Sequence, residues 1–112
     1  MILLDAITKT LEVVLGGAPA ANQLPFTVNY VDLDGSFTIS SASETDGVTN
    51  SITAVTMLTA PVANHTRQVK FLSVYNADTV QAKIIIQINN NGTKRILCSP
   101  TIQPGETLQY AS

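Results

Sequence analysis

The fold is decided by residues 67–110, which read RQVKFLSVYNADTVQAKIIIQINNNGTKRILCSPTIQPGETLQY. Its central part places an apolar residue at every second position: Ala82, Ile84, Ile86 and Ile88. Successive side chains of a strand point to opposite faces of a sheet, so this alternation predicts a strand with one buried face. The following Asn89–Gly92 (NNNG) tolerates positive φ, which predicts a hairpin that returns through residues 93–98.

The rest of the chain repeats this pattern of short strands and polar turns. Further strands are predicted at residues 10–15, 25–33, 37–40, 68–75 and 108–110. Pro104-Gly105 is the order expected at the centre of a type II turn, and residues 41–47 (SASETDG) are expected to be an exposed polar segment. About eight short strands predict one all-β domain over residues 1–112, an antiparallel β-sandwich for which jelly-roll connections stay open.

Residues 4–15 admit two interpretations. A helix would explain the three- and four-residue spacing of Leu4, Ile7, Leu11 and Val14. The β-branched residues of this segment and the early stop at Gly16-Gly17 favour a strand, with the helix as the alternative. The next residues, 16–23 (GGAPAANQ), have the composition of a loop or an arm.

The composition limits the classes of function. The 112 residues are 45% hydrophobic and only 12% charged, with a net charge of −2. Six scattered Lys and Arg residues form no basic stripe, so we expect no nucleic-acid binding. The chain has no run of ~20 apolar residues and no basic N-terminal segment, so we expect neither a membrane span nor a secretory signal. A weakly charged polar surface is easily covered by another protein.

No catalytic constellation is apparent, so we predict a protein that is not an enzyme, with no catalytic, cofactor-binding or metal-binding residues. Residues 32–36 (DLDGS) begin like a calcium loop, but its terminal Glu falls one position late, at Glu44. Glu44 and Asp46, and the pair Asp32 and Asp34, lie in polar segments where we expect carboxylates to stay solvated and without a catalytic role. His65 is the only histidine and is expected to lie in a loop without a role, and Cys98 is expected to be a small buried apolar residue.

Three segments in this order resemble small structural proteins of tailed bacteriophages. They are Arg67–Thr79, the hairpin Asn89–Leu97, and Gln103–Tyr110, and the opening Met1–Gly17 is similar to the start of such proteins. The resemblance implies a β-sandwich of the virion, made in the cytoplasm of the bacterial host, and it implies no catalytic residues.

Within this family, the resemblance implies a capsid decoration protein that binds the major capsid protein as a homo-oligomer, a trimer or a dimer. A neck, tail or fibre-attachment protein is the alternative, and a carbohydrate-binding β-sandwich is a further one. We expect residues 1–23 to form an N-terminal strand and arm that contact neighbours through Ile2, Leu3 and Leu4, with pairing inside the domain as the alternative. Tyr110 is a further candidate for the interface.

Overall fold

Ten strands and no helix form the chain in a computed structural model that describes all 112 residues. The strands are β1 (Ile2–Leu4), β2 (Lys9–Leu15), β3 (Pro25–Leu33), β4 (Ile39–Val48), β5 (Val55–Leu58), β6 (Thr66–Tyr75), β7 (Ala82–Asn90), β8 (Thr93–Cys98), β9 (Thr101–Ile102) and β10 (Thr107–Ala111). Since the fold has no helix, it contains no long apolar helix that could cross a membrane.

The strands form two antiparallel sheets that pack face to face. In the first sheet β4 pairs with β3 and β3 with β6, and the far side of β6 carries both β1 and β10. In the second sheet the order is β5, β2, β7, and the far side of β7 carries both β8 and β9. The β-sandwich predicted from the sequence is confirmed.

Most successive strands lie in opposite sheets. Hairpins join β3 to β4 and β7 to β8 inside one sheet. The β7–β8 hairpin follows from the Asn91-Gly92 turn, where φ is 51° and 95°. Two positive φ values give a turn whose twist matches an antiparallel pair, so both strands stay in the same sheet.

The core lies between the two sheets and is mostly aliphatic. In β2 the buried residues Leu11, Val13 and Leu15 alternate with residues that point outward. The predicted strand at residues 10–15 is therefore correct, and the helix alternative for residues 4–15 is wrong. The main cluster has 14 buried members: Leu4, Leu11, Val13, Leu15, Leu24, Phe26, Val28, Met57, Leu58, Val69, Leu72, Val74, Ile84 and Ile86. Each large aliphatic side chain contributes about 1.5–3 kcal/mol by leaving water.

The polar segment at residues 41–47 is mostly exposed, as predicted, and it forms part of a strand. It belongs to β4, whose pairing with β3 extends from Pro25↔Val48 to Leu33↔Ile39. Gly47 permits the close approach of the Phe26 ring, since a Cβ at this position would lie 2.9 Å from the ring. The low strand propensity of Ser, Glu, Asp and Gly is offset here by pairing with a buried neighbour.

Candidate functional site: the groove beside strand β8

Strand β8 is an edge strand that leaves one side of its backbone unpaired. It pairs only with β7, and all six of its residues are exposed. Ile96 and Leu97 are apolar yet 61% and 44% exposed. Because an open strand edge with apolar side chains can accept another strand, β8 is a candidate contact surface.

A register shift in β8 places two successive side chains, Leu97 and Cys98, at the same groove. Gln87 is opposite Ile96 while its neighbour Ile86 is opposite Cys98, so Leu97 is an extra residue on the β8 side. Leu97 and Cys98 both line a groove at the open side of the sandwich. The bulge therefore explains why the end of β8 faces a gap between the sheets.

Cys98 is exposed, which corrects the prediction that it is buried. Partial desolvation raises the pKa of its thiol, and a backbone hydrogen bond with Ile86 opposes this effect only in part. A raised pKa keeps the thiol protonated near neutral pH, and the thiolate is the nucleophilic form. Cys98 thus contributes a weakly polar surface to the groove.

The groove has a volume of about 380 Å³ and is almost entirely apolar. Its floor contains the core residues Leu72 and Ile86, and β1 and β10 form the wall opposite β8. Its lining consists of Ile2, Leu72, Ile86, Leu97, Cys98, Leu108, Gln109 and Tyr110. Because the two sheets do not close at this side, part of the core is reachable from the surface.

The structure brings two of the four predicted interface residues together at this groove. The backbone N–H of Ile2 donates to Tyr110 Oη at 2.8 Å, which joins positions 108 apart in the chain. Leu3 is half-buried, and Leu4 is fully buried in the core of its own domain. In this structure β1 pairs with β6, with Ile2 opposite Val69, so pairing inside the domain is the arrangement observed.

A buried carboxylate holds β8 in place from the outer face. Glu12 on β2 is 7% exposed and accepts hydrogen bonds from Gln87 at 2.9 Å, Asn89 at 2.9 Å and Lys94 at 2.8 Å. Burial alone would raise the pKa of Glu12, but these three donors outweigh it and the pKa is lowered. The network links three adjacent strands, and the sequence signal for it is a Glu inside an apolar strand.

The connection between β2 and β3, residues 16–24, contains the arm predicted at residues 16–23 and is called the arm below. It is bound to its own domain by Asp78. The Asp78 carboxylate accepts from the backbone N–H groups of Ala20 at 2.9 Å, Ala21 at 2.8 Å and Asn22 at 3.2 Å. Desolvation opposes its ionisation, but these donors and the N–H of Thr79 outweigh desolvation and hold the pKa at about 2. The predicted arm is therefore fixed at one end of the sandwich.

Asn76 joins the loops next to this arm. Its side chain, 1% exposed, donates to the carbonyls of Val80 and Ile102, both at 3.1 Å, and accepts from the N–H of Asp78. The backbone carbonyl of Asn76 accepts a hydrogen bond from the N–H of Gly105, where φ is 82°. That φ confirms the predicted type II turn at Pro104-Gly105.

His65 has a partner that the sequence did not reveal: Asp32, which is 7% exposed and not solvated as predicted. Its Nδ1 lies 2.6 Å from Oδ1 of Asp32, and Arg67 Nε lies 3.4 Å from the other carboxylate oxygen. Desolvation raises the pKa of Asp32, but His65 and Arg67 outweigh it and lower the pKa. The hydroxyl near this pair, Ser40 Oγ, donates to Asp32 rather than to His65, so the arrangement is not that of a nucleophilic triad.

The other acidic residues do not form a metal site. Asp34 accepts from the N–H groups of Ser36 at 2.9 Å and Thr38 at 3.0 Å, which is the bonding of a turn. Glu44 and Asp46 lie on the exposed strand β4, and the neighbouring Asp46 carboxylate raises the pKa of Glu44. No group of three or more His, Cys, Asp or Glu side chains is placed to hold a metal ion.

Comparison with known proteins gives no relative: no family model, curated protein or solved structure matches the chain.

Proposed function

We propose that this chain is a non-enzymatic structural component of a bacteriophage particle, a capsid decoration protein that binds the major capsid protein as a homo-oligomer. One observation supports an assembly role above the others: an apolar groove that reaches the core lies directly beside an open strand edge. Contact by a second protein chain would remove this apolar surface from water and satisfy the unpaired backbone of β8.

The surface composition favours the same role. Only 12% of the residues are charged, so a partner can cover much of the surface without desolvating many ions. We propose a location in the virion because segments within residues 67–110 resemble phage structural proteins. Neck, tail or fibre attachment is the alternative station.

Mass spectrometry of purified particles from the bacterial strain that carries this chain tests the proposal. We expect the chain in the particles, at a copy number on the order of hundreds, as symmetric capsid decoration requires. A copy number near a dozen would indicate the neck or tail instead. Particles that lack the chain would refute a structural role in the virion.

Binding of purified variants to particles lacking the chain tests the role of the groove. Leu97→Ser places a hydroxyl in the groove wall, and we expect at least ~10-fold weaker binding. Val62→Ser is the matched control, because Val62 is 61% exposed in the loop before β6 and does not line the groove. Equal binding by both variants would exclude the groove from the interface.

Carbohydrate binding is a second candidate, favoured by one aromatic side chain. The Phe37 ring is 75% exposed and lines a polar pocket of about 450 Å³ with Asp34 and His65. Sugars stack on exposed aromatic rings of this kind. A glycan array with saturable binding that Phe37→Ala abolishes would favour this function over assembly.

A further inference from the structure

Several strands at the ends of the two sheets pair on one side only, and the longest of them are β4 in the first sheet and β8 in the second. Strand β4 pairs only with β3, and strand β8 pairs only with β7. They belong to different sheets and lie at opposite sides of the molecule, since β4 ends the first sheet and β8 lies at the far side of the second. Unpaired edges of this length accept a strand from another chain unless charge or shape prevents it.

The two edges carry opposite charges. Glu44 and Asp46 lie on β4, and Lys94 and Arg95 lie on β8. Lys94 already compensates the buried Glu12, whereas the contact found for the Arg95 guanidinium is the neighbouring carbonyl of Lys94 at 3.4 Å. Arg95 is therefore the cation of β8 that remains available to a partner.

We propose that β4 of one molecule pairs with β8 of a second copy, so that copies associate head to tail through an acidic and a basic edge. This inference rests on the assembly role proposed above and names a second copy as the partner at β8. Pairing of β4 with β4 would bring four carboxylates together, and pairing of β8 with β8 would bring like cations together. Like charges on adjacent strands are destabilising, so the mixed pair is favoured.

The isolated molecule shows a repulsion that the mixed pair would relieve. Asp46 raises the pKa of Glu44 because the two carboxylates lie side by side on an exposed strand. Arg95 of the second copy would reduce this repulsion between the two carboxylates.

Apolar contacts would add to the charge pairing. Ile39 and Val48, at the two ends of β4, are 60% and 54% exposed, and Ile96 and Leu97 on β8 are exposed as well. A strand placed along β8 would also cover the mouth of the groove beside Leu97. Because the two edges differ and lie at opposite sides, the contact is heterologous and produces a ring or an open chain of copies.

Sedimentation velocity of purified protein with charge reversals tests the pairing. One variant carries Glu44→Lys and Asp46→Lys, and the other carries Arg95→Glu. The first variant has two basic edges, and the second replaces the available cation of β8 with an acid that faces the acidic β4, so we expect at least ~10-fold weaker association than in the wild type. A 1:1 mixture restores opposite edges in every contact, and we expect association to recover. Association of the wild type should weaken with added salt.

The control is Lys70→Glu, which changes the charge of β6 away from both edges. Association that falls equally in this control, or a mixture that associates no better than its parts, would overturn the proposal. A wild-type protein that stays monomeric at ~1 mM would overturn it too. A monomeric wild type would not affect the proposed role in the virion, which mass spectrometry of particles tests independently.

Discussion

The arm at residues 16–24 and the edge strand β8 differ in how their polar groups are satisfied. Three backbone N–H groups of the arm donate hydrogen bonds to the Asp78 carboxylate of the same domain. Strand β8 leaves one side of its backbone unpaired and exposes Ile96 and Leu97. A segment whose polar groups are already bonded gains little from a partner, whereas an open edge gains both hydrogen bonds and burial. We therefore expect a partner to contact β8 rather than the arm.

The largest effect on stability is expected from the first strand. Leu4→Ala removes a fully buried side chain, so we expect the free energy of unfolding to fall by about 2–5 kcal/mol. Leu3→Ala is the control at a half-buried position and should cost less than ~1 kcal/mol. Denaturant unfolding measures both. Equal, small losses would mean that β1 is not part of its own core.

The next largest effect on stability is expected at the hydrogen bonds between Asp78 and the arm, which are called the Asp78 clamp below. Asp78→Asn removes the charge that three backbone donors surround, so we expect the Tm to fall by roughly 5–15 °C. Asp46→Asn is the control, because Asp46 has no such backbone donors and the loss of its charge reduces the repulsion on Glu44. Calorimetry that shows the same Tm for Asp78→Asn and the wild type would contradict the clamp.

The same clamp should depend on pH in a defined direction. The pKa of Asp78 is lowered from 3.8 to about 2 in the folded state, so its stabilisation is complete above pH 3.8 and is lost as the pH falls toward 2. We expect the Tm difference between the wild type and Asp78→Asn to narrow over this range. A difference that stays constant down to pH 2 would refute the assignment.

A smaller effect is expected at the groove wall. Tyr110→Phe removes the hydroxyl that accepts from the Ile2 N–H, and we expect a loss of ~0.5–1.5 kcal/mol. Tyr75→Phe is the control, since Tyr75 is 44% exposed on β6 and its hydroxyl has no assigned partner. Equal stability of the two variants would show that the hydroxyl does not hold β1.

The smallest effect on stability is expected on β8 itself. Ile96 is 61% exposed, so Ile96→Ser should change the free energy of unfolding by no more than ~0.5 kcal/mol. The same change should weaken association measured by sedimentation. An Ile96→Ser variant that loses stability but keeps its association would show that Ile96 supports the fold and not the contact between copies.

The features that the sequence predicts well are those set by neighbouring residues. The alternation in residues 82–88 and the turn at Asn91-Gly92 depend on local geometry, and both are found. The segment 25–33 has the predicted bounds, because its apolar and polar residues also alternate.

The features that the sequence did not predict depend on distant contacts. Asp78 meets the arm across 56–58 positions, and His65 meets Asp32 across 33. Strand β4 has no apolar alternation of its own and is defined by its pairing with β3. Cys98 is exposed because a bulge in β8 shifts the register, so its side chain does not lie on the face that simple alternation predicts.

Hydrogen exchange of the assembled protein, in particles or at concentrations where copies associate, tests the central comparison most directly. Against the free monomer, we expect slower exchange at residues 93–98 and 39–48 and unchanged exchange at residues 16–24. Slower exchange at residues 16–24 with no change at 93–98 would show that the arm, and not the β8 edge, is the contact surface.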